Sequence, residues 1–272
     1  MSEIRVALPP NLTARHLRVV LKYFERTDRL TPQEWRVALE TFDALGKGIV
    51  AVGRRRMSFQ QVYDRYVDRP YADAFIAQLL ALEDLEADAE ALQQQFAFDV
   101  LAGLERERLY HGEVAGSEYL AAYCLYWWTS FGRGYRFELM VFHDLRASGI
   151  AFVAHDLRKR TERRSPYDLV VLRQVGDIKS TTYFLSIAYS LLQCDFYITR
   201  LYHPRRRRYL WVVVMTAAAW QALNGEVAPA SLETAADFFP EPVQTVLEGR
   251  HVVIAPYNLW KEKVKQRQQE EE

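Results

Sequence analysis

Ser165-Pro166-Tyr167-Asp168-Leu169-Val170-Val171-Leu172, continuing as Arg173-Gln174-Val175-Gly176-Asp177-Ile178-Lys179-Ser180-Thr181, is the stretch whose reading decides the fold. Leu169 to Leu172 is an apolar run with a carboxylate at its leading edge, and Asp177 to Ser180 is a second short strand candidate. So few residues separate the two that an antiparallel hairpin is the simplest connection. Side chains alternate along a strand, so Asp177 and Lys179 share one face while Ile178 points into the core. Register then decides whether Asp168 joins them. A two-residue loop at Arg173-Gln174 sets Asp168 opposite Lys179, and a four-residue loop from Arg173 to Gly176 sets it opposite Thr181. Either pairing puts Asp168 on the face of Asp177 and Lys179, and a single bulge reverses this.

Two carboxylates and a lysine on one face are costly unless something uses them. Like charges repel and raise a carboxylate pKa, and a divalent cation between them removes the penalty. Oxygen ligands suit Mg2+ or Mn2+, and a neighbouring lysine can orient water or steady negative charge at phosphorus. That set is suited to hydrolysing a phosphodiester.

Upstream, Ser117 to Phe131 predicts an aromatic-rich helix with Tyr119, Tyr123, Tyr126, Trp127 and Trp128. Gly132-Arg133-Gly134 is expected to interrupt it before a second helix from Tyr135 to Ala147. A strand over Ile150–Ala154 precedes the hairpin. Thr181–Gln193 returns to helical spacing, and Asp195–Tyr202 with Tyr209–Met215 predicts a hairpin whose tip carries Arg205–Arg208. Ala217–Leu223 and Leu232–Leu247 are expected helices, His251–Ile254 a last strand, and the end a charged, frayed tail without apolar anchors. Residues 12–110 read as helical around a short Ile49–Val52 run, with Thr31-Pro32-Gln33-Glu34 as a capped start. The expected organisation is a helical region over 1–115, an α/β domain over 116–258 and a tail over 259–272.

With Pro166-Tyr167-Asp168, then Asp177-Ile178-Lys179, then Ser180-Thr181 opening a helix, the chain resembles the PD-(D/E)XK nuclease superfamily. The helix–three strands–helix–strand order is similar to that family's restriction-endonuclease-like αβββαβ core, spanning roughly Tyr135 to Met215. The tightest form of the signature lacks the residue that Tyr167 occupies here, and no Gln-x-x-x-Tyr of the RecB-like kind follows. The resemblance implies metal coordination by Asp168, Asp177 and the Ile178 carbonyl. It implies that Lys179 assists the attacking water and that Glu138, on the first core helix, binds a second metal or its water. It implies an endonuclease dependent on Mg2+ or Mn2+, most simply acting on DNA. The alternative is a catalytically silent subunit that uses the fold to bind nucleic acid or protein in a larger assembly. Cutting both strands would favour a homodimer.

Each residue has a structural reading as well. Asp-x-Lys on a strand is often a solvated ion pair, Asp168 after Ser-Pro-Tyr can be a turn residue, and Glu138 alone can face solvent. Arg158, Lys159, Arg160, Arg163 and Arg164 form a basic stretch just before Asp168, which as a flexible loop would grip backbone phosphates. The Arg54–Arg56 and Arg205–Arg208 runs are expected as solvated surface. Trp127, Trp128 and the Tyr135–Phe137 aromatics suit stacking on bases but at helical spacing are expected in the core. His155 ends the first strand within reach of the site, although a hydrogen-bonded structural role is the commoner one.

Composition bounds the rest. The 272 residues carry 35 basic and 35 acidic side chains, which argues against a polycationic, tail-driven nucleic-acid binder. Cys124 and Cys194 lie in apolar stretches without a CxxC, so buried free thiols are expected rather than a zinc ribbon or disulfide scaffold. No Walker loop, GxGxxG, GxSxG or HExxH occurs. With no signal-peptide core after Met1 and no apolar run near membrane-spanning length, the expectation is a cytoplasmic protein without membrane contact.

Overall fold

Local chain chemistry accounts for most element boundaries in this computed structural model, which describes residues 4–25, 32–180, 193–203, 208–226, 228–229, 242–247 and 250–271. The chain forms two compact units, Met1–Arg133 and Gly134–Glu272. The boundary expected at 115/116 lies just ahead of the helix in which the division falls.

The first unit contains β1 (Ile4–Ala7), α1 (Ala14–Glu25), α2 (Pro32–Leu45), β2 (Ile49–Val52), β3 (Arg55–Ser58) and α3 (Phe59–Val62). A π-helical turn, Tyr63–Asp68, leads into α4 (Arg69–Leu80), and α5 (Leu85–Arg106) follows. The helical reading of 12–110 is corrected by a small antiparallel sheet, β1-β2-β3, whose β2–β3 turn is Gly53-Arg54 with Gly53 at φ 59°. Helix starts are chemically explicit. Ser58 Oγ accepts the Gln61 N–H at 3.1 Å while Gln61 Oε1 accepts the Ser58 N–H at 2.8 Å. Asp84 caps α5 by accepting from Glu86 and Ala87. Trp128 is fully buried and packs on Phe75 and Phe96, so its role is core packing rather than base stacking.

The expected break at Gly132-Arg133-Gly134 is absent: α6 runs unbroken from Ser117 to Ala147, 31 residues. Glycine costs about 1 kcal/mol in a helix interior. At Gly132 that cost is offset by packing, because an added Cβ would meet the Gln93 side chain at 2.8 Å. Gln93 in turn donates to the Thr129 carbonyl at 3.0 Å.

The second unit is built on an eight-stranded sheet in the order β4-β5-β6-β7-β8-β11-β10-β9. Its strands are β4 (Val153–Ala154), β5 (Leu169–Val171), β6 (Gln174–Lys179), β7 (Phe196–His203), β8 (Arg208–Thr216), β9 (Ala228–Pro229), β10 (Val243–Leu247) and β11 (Arg250–Pro256). β6 pairs in parallel with β7, β9 in parallel with β10, and the other neighbours are antiparallel. A parallel step requires a crossover. The helix expected for it over 181–192 lies outside the described residues, as do the Arg205–Arg207 tip and the Thr31 cap. Central strands are buried on both faces: Phe196, Ile198 and Val213 on one, Tyr197, Val212 and Val214 on the other.

α7 (Ala217–Gln221) follows β8, and α8 (Tyr257–Glu271) closes the chain. The helix expected over Leu232–Leu247 is corrected where it is described, because Val243–Leu247 pairs with Arg250–Ile254 as a strand. The frayed tail is corrected too. Tyr257, Trp260 and Val264 are buried at helical spacing, and Lys261 Nζ lies 2.6 Å from Asp144 Oδ2. A tail drawn from residue 259 separates Tyr257 from the stripe that anchors the helix.

Candidate functional site

Five side chains from four parts of the second unit meet at one end of the β5–β6 hairpin. Glu138 projects from α6, His155 follows β4, Asp168 precedes β5, and Asp177 and Lys179 lie on β6.

The hairpin register differs from both expected loops. Leu169 pairs with Gly176, Val170 with Val175 and Val171 with Gln174, leaving Leu172-Arg173 as the turn. Both turn residues have positive φ, 49° and 65°, as a tight two-residue hairpin turn demands. Leucine and arginine are unusual there, so composition does not announce the turn. The ladder ends with a local irregularity, because the Asp168 N–H donates to the same Gly176 carbonyl at 2.9 Å. Asp168 is thereby set beside Asp177, with which it shares a side-chain hydrogen bond, rather than opposite Lys179 or Thr181.

Asp168 Oδ2 also accepts the Ile178 N–H at 2.7 Å. The Asp168 N–H and C=O are both used, the carbonyl by the His155 N–H at 3.1 Å. His155 Nε2 lies 2.6 Å from Glu138 Oε1, and its Nδ1 lies 3.7 Å from Asp168 Oδ1. Lys179 Nζ lies 2.6 Å from Asp177 Oδ2.

Electrostatics follow from burial. Glu138 and Asp177 are 6% and 7% exposed, values unusual for carboxylates without a use for them. Burial raises the Glu138 pKa, against the hydrogen bond and charge of His155. Burial, the Glu138 charge and Asp177 together push Asp168 up to about 9. For His155 burial is the largest influence and acts downward, but the hydrogen bond and charge of Glu138, with the Tyr167 backbone and Glu162, together leave the net shift upward. Lys179 behaves alike: burial acts most strongly and downward, Asp177 with Asp168 and Cys194 together turn the net shift upward, and the side chain is still 44% exposed. Three crowded carboxyl groups therefore face one imidazole and one ammonium.

Ligand atoms of Glu138, His155 and Asp168 all lie within 4.8 Å of one another. This compact donor set differs from the expected one. It contains His155, while Asp177 is held by Lys179, and the Ile178 backbone contributes its N–H to Asp168. The donors fit a divalent ion: the two carboxylates suit Mg2+ or Mn2+, while the imidazole is a donor more at home on Zn2+ or Fe2+. His155 was the member hardest to see in the sequence. Its one signal was position, at the end of the first strand.

The basic stretch is folded rather than loose. Asp156 Oδ1 accepts the Arg158 N–H at 3.0 Å and Glu162 Oε2 accepts the Asp156 N–H at 2.6 Å. Lys159 Nζ pairs with Glu162 Oε1 at 2.8 Å, and Arg163 Nη1 donates to the Leu157 carbonyl at 2.9 Å. Arg158, Lys159 and Arg164 are exposed, whereas Arg160 and Arg163 are half-buried.

No family model matches the sequence, and neither a curated protein nor a solved structure is detectably similar to the chain. Among the described residues, no helix is long and apolar enough to cross a membrane.

Proposed function

We propose that the chain is a metal-dependent nuclease that hydrolyses phosphodiester bonds, DNA being the favoured substrate. The observation that carries this reading is the buried convergence of Glu138, Asp168 and Asp177, with Asp168 held far above the ordinary carboxylate range. Such crowding is relieved by a divalent cation. The finer assignment, a restriction-endonuclease-like core, is supported by strand order. Three antiparallel neighbours, β4-β5-β6, are followed by β7 parallel to β6, with Asp168 at the mouth of β5 and Asp177-Ile178-Lys179 ending β6.

Glu138, Asp168 and His155 would hold the ion, with Asp177 beside them. A divalent ion supplies Lewis acidity there, acidifying water and offsetting charge that builds at phosphorus. Lys179, tethered by Asp177 and still open to solvent, orients the attacking water or a phosphate oxygen. His155 Nε2 lies 2.6 Å from Glu138 Oε1 and its Nδ1 3.7 Å from Asp168 Oδ1, so the ring is seated between the two carboxyl groups. Arg158, Lys159 and Arg164 present exposed charge for backbone phosphates.

Purified protein is incubated with plasmid and Mg2+ or Mn2+, then with EDTA, and in parallel as Asp177→Ala. Cleavage lost in both controls is the expected result. Cleavage that survives both overturns the site, and no cleavage of DNA or RNA with either metal overturns catalysis in favour of a binding role.

A further inference from the structure

We infer that the first unit carries an anion site of its own: a cleft lined by Arg56, Arg65 and Arg69 that takes a phosphate-bearing ligand. The Arg54–Arg56 run reads as solvated surface in the sequence, and all three are exposed, Arg54 in the β2–β3 turn. Arg56 also lines a cleft of 430 Å³ together with Met57, Gln61, Asp64, Arg65 and Arg69.

Three neighbouring elements bring the guanidinium groups together. Arg56 lies on β3, the Ser58 capping box turns the chain into α3, and the π-helical turn carries Arg65 into α4, where Arg69 is first. The Arg69 N–H donates to the Asp64 carbonyl, the wide hydrogen bond that defines the π turn. Arg65 and Arg69 are four residues apart on this segment, a spacing at which like charges destabilise a helix. Among the described residues, no carboxylate forms an ion pair with any of the three. Asp64 lines the cleft but accepts from Gln60 Nε2 at 2.8 Å.

Three planar cations against one carboxylate leave the cleft positive, and guanidinium forks match phosphate oxygens in pairs. The volume falls within the range of small-ligand clefts, about 300–1,000 Å³. Met57 adds an apolar wall suited to a sugar or base. The shared chemistry is a phosphate group, carried by a free nucleotide or by a nucleic-acid strand.

The test uses the full chain as Asp168→Asn in EDTA, so that its outcome is independent of the metal site. Adenosine triphosphate and inorganic pyrophosphate are titrated by calorimetry, and a fluorescein-labelled poly-dT strand by anisotropy. Saturable binding is expected, weakened about tenfold by Arg56→Gln or Arg69→Gln. Asp64→Asn should tighten it about two- to fivefold by removing the like charge from the cleft. Strand binding with the same arginine dependence, competed by triphosphate, identifies the strand as the source. Binding confined to triphosphate and pyrophosphate identifies the free compound. Affinities indifferent to all three substitutions, or no saturation by any probe below about 1 mM, overturn the site. The arginines are exposed, so these substitutions leave the core intact.

Discussion

Asp168 Oδ2 accepts the Ile178 N–H at 2.7 Å, so the carboxyl group at the centre of the site also closes the end of the β5–β6 hairpin. The two duties separate by substitution. Asp168→Asn retains an oxygen acceptor and resembles the protonated acid, so it should fold at least as well as the parent and lose cleavage. Asp168→Ala leaves the Ile178 N–H without its partner, at a cost of about 1–3 kcal/mol. Urea unfolding of the two variants measures the difference, and equal stability would remove the structural duty.

In the metal-free protein, stability should fall as pH rises. The Asp168 carboxyl, ordinarily near 3.8, is pushed up to about 9, so between those values the folded chain holds a proton that the unfolded chain has released. The unfolding free energy then decreases with pH, at most by about 1.4 kcal/mol per pH unit for one proton. Glu138 and His155 are also shifted upward and act in the same direction. Thermal melts in EDTA from pH 5 to pH 9, both within this window, should show a declining Tm in the parent and a shallower decline in Asp168→Asn. A Tm that climbs across the window contradicts the crowding.

Glu138 and His155 form a buried pair, so removing one member should cost more than neutralising the other. His155→Ala strands the Glu138 carboxylate and is expected to lose about 3–5 kcal/mol, whereas Glu138→Gln loses less. Because the two groups touch, the double variant should be more stable than the sum of the single losses implies. A double-mutant cycle by chemical denaturation reads this directly; additive losses would mean that the pair is not formed.

Gly176 stands directly before Asp177, and an added Cβ would collide with three carbons of the buried Phe196 ring. Gly176→Ala should therefore destabilise by about 1–3 kcal/mol or more and move Asp177 out of place. Melting should drop by about 5 °C or more. A parent-like Tm would show that the ring gives way freely.

Lys179→Ala should lose turnover at least about a hundredfold while costing only about 1 kcal/mol, because the ammonium is partly solvated and its ion pair screened. Single-turnover cleavage and urea unfolding measure the two losses, and near-parent turnover would remove Lys179 from the chemistry.

Much of the second unit's strand–helix order was legible because strands and helices announce themselves through local periodicity. The Phe196–His203 and Arg208–Thr216 pair and the Asp177–Lys179 spacing needed no tertiary information. The α6 glycines misled because the side chain that fills the space at Gly132 belongs to Gln93, in a different helix. The hairpin register was hidden because Leu172 and Arg173 adopt positive φ without the glycine or asparagine that usually signals it.

By itself, the sequence determined that Asp177 and Lys179 share a strand face and that an acid leads the preceding strand, since alternation along a strand is a property of the backbone alone. Only the tertiary structure decided which groups stand together. It brought Glu138 and His155 onto Asp168 and gave Asp177 to Lys179, because long-range packing of a helix and three strands sets those distances and the burial that shifts the charges.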